Sequence, residues 1–226
     1  MHREIIITGD GSTTIFIPEL KEHYHSVYGA VQESKHVFIE AGLKNISRNS
    51  ISILEVGYGT GLNAFLTLQE SLKKELQVTY YAVELYPLDK EFFDQLKYDH
   101  FLRLSKVEKQ LYSDMQKAAW SMEIQITPGY TLKKIKSDIL SLEIDFKYDL
   151  VYFDAFAPAV QPELWDKTVF QKIYSHLNNH GILVTYCAKG QVQRTLKETG
   201  FTVEKLPGPP GKREMIRAVK SAEQEG

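Results

Sequence analysis

Apolar and polar positions fall in short blocks along the chain, and their period changes from block to block. Ile5–Ile7 and Ile15–Ile17 flank the turn residues Gly9, Asp10 and Gly11, which predicts a β-hairpin at the start. In "HYHSVYGAVQESKHVFIEAGL" the apolar Val31, Val37, Phe38 and Ile39 take looser, helical spacing, with Gly42 as C-terminal cap. A polar loop, "KNISRNS", follows. From Ile51 strands and helices alternate: strand "ISILEV" and helix "LNAFLTLQESLKK"; strand "VTYYAVELYP" and a long helical stretch from Leu88 to about Trp120, broken near 98–101. The later units are strand "MEIQIT" and helix "TLKKIKSDILSL", strand "YDLVYFD" and helix "ELWDKTVFQKIYSHL", strand "GILVTYC" and helix "QVQRTLKETG". "FTVEKL" and "EMIRAV", on either side of "PGPPGKR", have no helix between them and predict an antiparallel terminal hairpin.

Each parallel crossover has to travel over a face of the sheet, usually as a helix. The pattern therefore predicts an α/β, Rossmann-like, doubly wound fold with a seven-stranded, mostly parallel sheet ending in that hairpin. Residues 1–50 read as an N-terminal hairpin and helical extension, 51–220 as the main domain and 221–226 as a frayed tail.

Composition narrows the picture. The chain has 226 residues, 43% of them hydrophobic, enough for one large core. A formal charge of -2 gives no global positive field toward nucleic acid or membrane, although local patches stay open. The one cysteine, Cys187, excludes an intrachain disulfide and a cysteine-based zinc site, and is most simply a small buried apolar residue. His176 and His180 stand at i, i+4 but lack an accompanying acid, so no metal is expected. No G-x-S-x-G elbow points to a hydrolase. With neither a signal-peptide pattern nor a membrane-spanning apolar run, a cytoplasmic protein without membrane association is expected.

Candidate chemistry gathers at predicted strand ends. Gly57, Gly59 and Gly61 in "LEVGYGTGLN" let the backbone turn tightly and approach a ligand. Their G-x-G-x-G spacing differs from the dinucleotide fingerprint. Glu55, just before the turn, would repel a pyrophosphate but suits an ammonium or sulfonium, and Glu84 ends the next strand where an acid can take both ribose hydroxyls. These features describe a nucleoside with a cationic tail and no phosphate, which S-adenosyl-L-methionine fits. Asp154 closes the apolar strand "YDLVYF" on the same rim and is the candidate catalytic carboxylate, with Phe156 and Pro158 as a dry wall beside it. Lys189, Lys212 and Arg213 fall near loops on the expected ligand side, whereas Lys133, Lys134 and Lys136 read as the solvated face of a helix. Tyr24, His25 and Tyr28 either stack on a base or pack the extension onto the domain.

These residues resemble the class I S-adenosylmethionine-dependent methyltransferases: "ILEVGYGTG" is similar to their first motif, Glu84 to their ribose-binding acid, and the terminal hairpin to their usual ending. "GLNAFLTL", "FDAFAPAVQPELW" and "GKREM" resemble more narrowly the methyltransferase domain of the bifunctional tRNA-modifying MnmC enzymes and their stand-alone MnmD relatives. That resemblance implies N-methylation of the 5-aminomethyl group of 2-thiouridine at the tRNA wobble position. It implies tRNA as partner, Glu55, Gly57, Gly59, Gly61 and Glu84 on the cofactor, Asp154 on the amine, and Phe156, Pro158, Lys212 and Arg213 toward the substrate. The chain is too short for the flavin-dependent oxidase half of the bifunctional enzymes, so a separate enzyme is expected to supply the amine. Tyr130 stands where many of these enzymes carry an adenine-side Asp. The competing readings are transfer to another amine, an aminopropyl transferase, which would want further carboxylates, and a non-catalytic RNA-binding module.

Overall fold

The computed structural model describes residues 2–222. Its tail beyond 222, part of the stretch expected to be frayed, lies outside the described residues. Strands β1 (Glu4–Ile7), β2 (Thr13–Ile17) and β3 (Glu22–His23) form a small antiparallel sheet of their own. The hairpin turn is the expected one: the Asp10 carboxylate accepts hydrogen bonds from the Ser12 amide and the Thr8 hydroxyl, and Gly11 takes a φ of 84°.

The expected helix after it is shorter. Residues 24–29 are non-helical, and only α1 (Ala30–Ser34) and a following π-helical turn (Lys35–Glu40) are wound. Gly42 is not a left-handed cap, since its φ is -100°; it is required because a Cβ would lie 2.4 Å from the Phe38 carbonyl oxygen.

The main sheet is built from β4 (Ser50–Val56), β5 (Gln77–Glu84), β6 (Glu123–Thr127), β7 (Tyr130–Lys136), β8 (Tyr148–Phe153), β9 (Leu177–Thr185), β10 (Phe201–Pro207) and β11 (Glu214–Lys220). Their order is β10-β11-β9-β8-β4-β5-β7-β6. The five strands β9, β8, β4, β5 and β7 are parallel neighbours, and the terminal hairpin β10–β11 is antiparallel as expected.

Every residue of β8 is buried, because helices cover both faces of the sheet. Successive side chains serve opposite cores: Ile53, Leu150, Tyr152 and Val184 join the layer beneath α2 (Leu62–Lys74), while Leu54, Val151, Phe153 and Leu183 join the other. The helical stretch after β5 is interrupted on either side of the expected 98–101, at Lys97 and at 102–105, giving α3 (Lys90–Leu96), α4 (Tyr98–Phe101) and α5 (Lys106–Lys117), the last opened by a Ser105–Glu108 capping box. Helices α6 (Lys167–His176) and α7 (Gly190–Thr199) pack on the second face.

A second element is corrected. "TLKKIKSDILSL" is not a helix; Tyr130–Lys136 is strand β7, pairing parallel to β5 and antiparallel to β6, which brings the sheet to eight strands. Burial alternates along it through Tyr130, Leu132 and Lys134, and the lysine at an inward position hid that period. Lys134 is 2% exposed, not a solvated helix face. Its Nζ donates to the Gln116 carbonyl at 2.8 Å and lies 5.0 Å from the Trp120 ring centroid and 5.5 Å from that of Tyr58.

Burial lowers the Lys134 pKa to about 8. The unfolded chain therefore binds more protons than the folded one between about pH 8 and the free-lysine value of about 10.4. Across that window the wild type is expected to gain stability relative to Lys134→Met as pH rises. Denaturant melts of both proteins at pH 7.5 and 10 check this, and a pH-independent difference would refute it.

Candidate functional site

Parallel neighbours β8, β4, β5 and β7 all end on one rim, where an open α/β sheet leaves a crevice. Their carboxyl ends deliver Asp154, Gly57, Glu84 and Ser137 to a single cleft of about 930 Å³, its open mouth included. Four separate stretches of sequence meet there because the sheet order places β4 between β5 and β8.

The glycine turn is shaped by backbone demands. Gly57, Gly59 and Gly61 have φ values of 93°, 49° and 71°, in the left-handed region. A Cβ on Gly57 would sit 2.6 Å from the Asp154 carbonyl oxygen, so the β4 and β8 ends approach as closely as they do only without one. Gly57 and Gly59 line the cleft. Gly61 instead opens α2, tucked against Tyr58 and Gln116.

Glu84 is fixed by two amides: Gly59 N–H donates to one carboxylate oxygen at 3.1 Å and Tyr86 N–H to the other at 2.8 Å. Each oxygen keeps a lone pair for a diol. The cleft also presents the carboxylates of Asp138, Asp154 and Glu163, against the one guanidinium of Arg3. That donor set suits a cationic nucleoside and opposes a phosphate, so the residues present fit S-adenosyl-L-methionine.

Asp154 is nearly enclosed, its side chain 9% exposed. Burial, with Glu33 adding to it, pushes its pKa up to about 7, while a hydrogen bond from Asn63 and the charge of Lys212 pull the other way. Asn63, near the start of α2, uses one amide nitrogen twice: Nδ2 donates to Asp154 Oδ2 at 2.8 Å and to Glu55 Oε1 at 3.0 Å. Glu55 itself is completely buried beneath them and does not line the cleft. Burial, then the Asp154 charge, raise its pKa well above the usual carboxylate range. A buried acid so placed favours its protonated form.

Of the residues expected toward the substrate, Phe156 lines the cleft, meeting the Tyr24 ring edge-on at 5.3 Å between centroids. Pro158 lies on the same loop outside the lining. Lys212 is committed within the protein: its Nζ pairs with Glu33 and sits 4.3 Å from the Tyr186 ring centroid. Arg213 is exposed on the hairpin loop.

Tyr130 lies outside the cleft lining. Tyr130 begins β7 rather than following it, is buried, and donates its hydroxyl to the Ala64 carbonyl at 3.0 Å. The residues after β7 are Ser137 and Asp138, both in the cleft wall. Reading "YTLKKIK" as a strand would have exposed Asp138. Asn63 had a weaker signal, a polar side chain within the apolar start of "LNAFLTL". Arg3, Tyr24 and His25 reach the cleft from the N-terminal sheet, a juxtaposition no local pattern encodes.

Comparisons with known proteins agree with this geometry. The profile of a family described as S-adenosyl-L-methionine-dependent methyltransferases matches residues 102–221. The chain is 31% identical over 223 residues to a tRNA 5-methylaminomethyl-2-thiouridine biosynthesis bifunctional protein MnmC from Leptospira interrogans, covering 93% of this chain and 34% of that one. The protein of the same name from Campylobacter hominis is 29% identical over 210 residues, covering 90% and 31%. The chain thus spans about a third of the length of these curated relatives. Among solved structures, MnmC2 from Aquifex aeolicus superposes with a TM-score of 0.77 at 27% identity, covering 99% of this chain and 73% of that one.

Proposed function

The chain belongs to the S-adenosyl-L-methionine-dependent methyltransferase family, and on that premise we propose that it N-methylates the 5-aminomethyl group of 2-thiouridine at the tRNA wobble position. The observation that carries the reading is a carboxylate with a near-neutral pKa, Asp154, on the rim it shares with Gly57 and Glu84. The names of the Leptospira and Campylobacter relatives support the choice of acceptor.

When bound, S-adenosyl-L-methionine supplies a methyl group on a sulfonium. The residues assigned to hold it are Gly57 and Gly59, by close backbone approach, and Glu84, by the ribose hydroxyls. Glu55 and Gly61 act one step back, Glu55 beneath Asn63 and Gly61 by starting α2. Asp154 hydrogen-bonds the amine, directs its lone pair and takes the proton that the reaction releases. Phe156 excludes water beside it, and Pro158 stiffens the loop that carries Phe156. Arg213 meets the RNA backbone, while Lys212 holds the hairpin loop against α1.

In this reading the aminomethyl nucleoside is the product of a separate amine-forming enzyme. We place the protein in the cytoplasm because its proposed substrate is tRNA. No helix among the described residues is long and apolar enough to cross a membrane.

The test is nucleoside mass spectrometry of tRNA carrying 5-aminomethyl-2-thiouridine, incubated with the protein and S-adenosyl-L-methionine. A gain of one methyl on that nucleoside is expected. A protein that binds the cofactor yet leaves this nucleoside unchanged would remove the substrate assignment.

A further inference from the structure

His25 is a titratable side chain of the cleft with no part in the methyl transfer described above. His25 comes from the segment after β3, is 8% exposed and lines the cleft. Its Nδ1 lies 4.0 Å from Asp154 Oδ2, beyond hydrogen-bond reach. The ring is anchored from behind: Nε2 is 2.9 Å from the Thr60 hydroxyl of the glycine turn, and the His25 amide donates to Thr14 Oγ1 at 2.9 Å.

Burial lowers the His25 pKa to about 4, with Glu33 and Lys212 exerting opposite and smaller pulls. The ring is therefore neutral near pH 7, with one nitrogen bearing hydrogen and the other a lone pair. In the tautomer whose Nε2–H goes to the Thr60 hydroxyl, the Nδ1 lone pair faces the Asp154 carboxylate. Two acceptors confronting each other in a desolvated site call for a donor between them. A single nitrogen about 2.9 Å from each is geometrically compatible with a 4.0 Å separation.

We propose that His25 is the second acceptor for the substrate amine, and that the His25–Asp154 pair makes the enzyme stop after one methyl. This rests on the N-methylation reading above. A neutral primary amine has two hydrogens and one lone pair. One hydrogen goes to Asp154, one to His25, and the lone pair is left to attack. The new N–C bond forms as the methyl's C–S bond breaks with its electron pair going to sulfur. The resulting secondary ammonium gives one proton to Asp154 and leaves as the neutral secondary amine. On return, that amine has a single hydrogen. It cannot satisfy both acceptors with its lone pair aimed at a second methyl, and its own methyl is driven against a desolvated acceptor.

The experiment uses tRNA bearing 5-aminomethyl-2-thiouridine, excess S-adenosyl-L-methionine and exhaustive incubation, with products resolved by nucleoside mass spectrometry. Wild type is expected to give only the monomethyl product. His25→Phe, which keeps a flat ring without an acceptor, is expected to slow the first transfer by about 3–10-fold, the worth of one hydrogen bond between neutral groups. It should also accumulate dimethyl product. His25→Asn, which restores an acceptor, should suppress the dimethyl product again. Without cofactor, the preference of wild type for tRNA carrying the amine over tRNA lacking it should shrink in His25→Phe.

Calorimetric binding of S-adenosyl-L-methionine and a thermal midpoint verify that each variant is folded. A wild type that leaves this tRNA unmethylated overturns the substrate reading, and this inference with it. A wild type that adds one methyl, beside a folded His25→Phe that is equally fast or slow but strictly monomethylating, overturns this inference alone.

Discussion

Replacing Asp154 by Asn is expected to slow methyl transfer by about 10²–10⁴-fold, the usual worth of a positioned general base, while cofactor affinity changes little. The amide keeps the shape of the carboxylate and can still accept from Asn63, but it can no longer accept the amine's proton. The wild-type rate should rise with pH through a midpoint near 7, because burial holds the Asp154 pKa at about 7 and only the ionised form serves as base. Glu55 shares the Asn63 amide, so the midpoint seen kinetically belongs to the pair.

Stability should move the other way. An acid whose folded pKa is raised from 3.8 to about 7 binds more protons folded than unfolded between those values, so the fold loses stability as pH rises across that window. Asp154→Asn removes the penalty and should melt higher than wild type at pH 8. Rates over pH 5.5–9 and melts of both proteins check the pair of effects. A mutant that is as fast as wild type, or no more stable at pH 8, refutes the role assigned to this carboxylate.

Gly57→Ala is expected to weaken S-adenosyl-L-methionine binding by about 10–100-fold. Two penalties coincide: an L-residue at φ 93° is strained by roughly 1–3 kcal/mol, and its Cβ would press within 2.6 Å of the Asp154 carbonyl. That oxygen is main chain, and the peptide before it is tied to β4 by the Asp154 N–H to Val56 O bond at 3.0 Å, so it cannot rotate away as a side chain would. The β8 end has to shift, carrying the catalytic carboxylate with it. Isothermal titration of the cofactor, together with a thermal midpoint, measures both effects; unchanged affinity would show that Gly57 does not shape the cofactor site.

Much of this was legible in the chain. The fully apolar "LVYF" requires a strand covered on both faces, and the glycines after "ILEV" require a turn no other residue can make. The helix-free pair "FTVEKL" and "EMIRAV" has to fold back on itself, since nothing between them can carry the chain across a face. Each of these depends on local period or backbone stereochemistry, which a short window of sequence contains. Where an inward position is polar the window misleads: Lys134 at a buried site of β7 disguised a strand as a helix, and moved the acid after it, Asp138, out of view.

The sequence by itself determined the doubly wound architecture, the glycine turn and the candidate acids at the strand ends, because alternation, glycine and charge act over a few residues. Only the tertiary structure decided how those acids differ. Glu55 is sealed beneath Asn63, Glu84 is held open by two amides, and Asp154 is brought near neutrality with His25 across a 4.0 Å gap. Their neighbours come from positions 25, 33, 63 and 212, far apart in the chain. Desolvation and charge act through space, and the space is set by which strands the sheet makes adjacent.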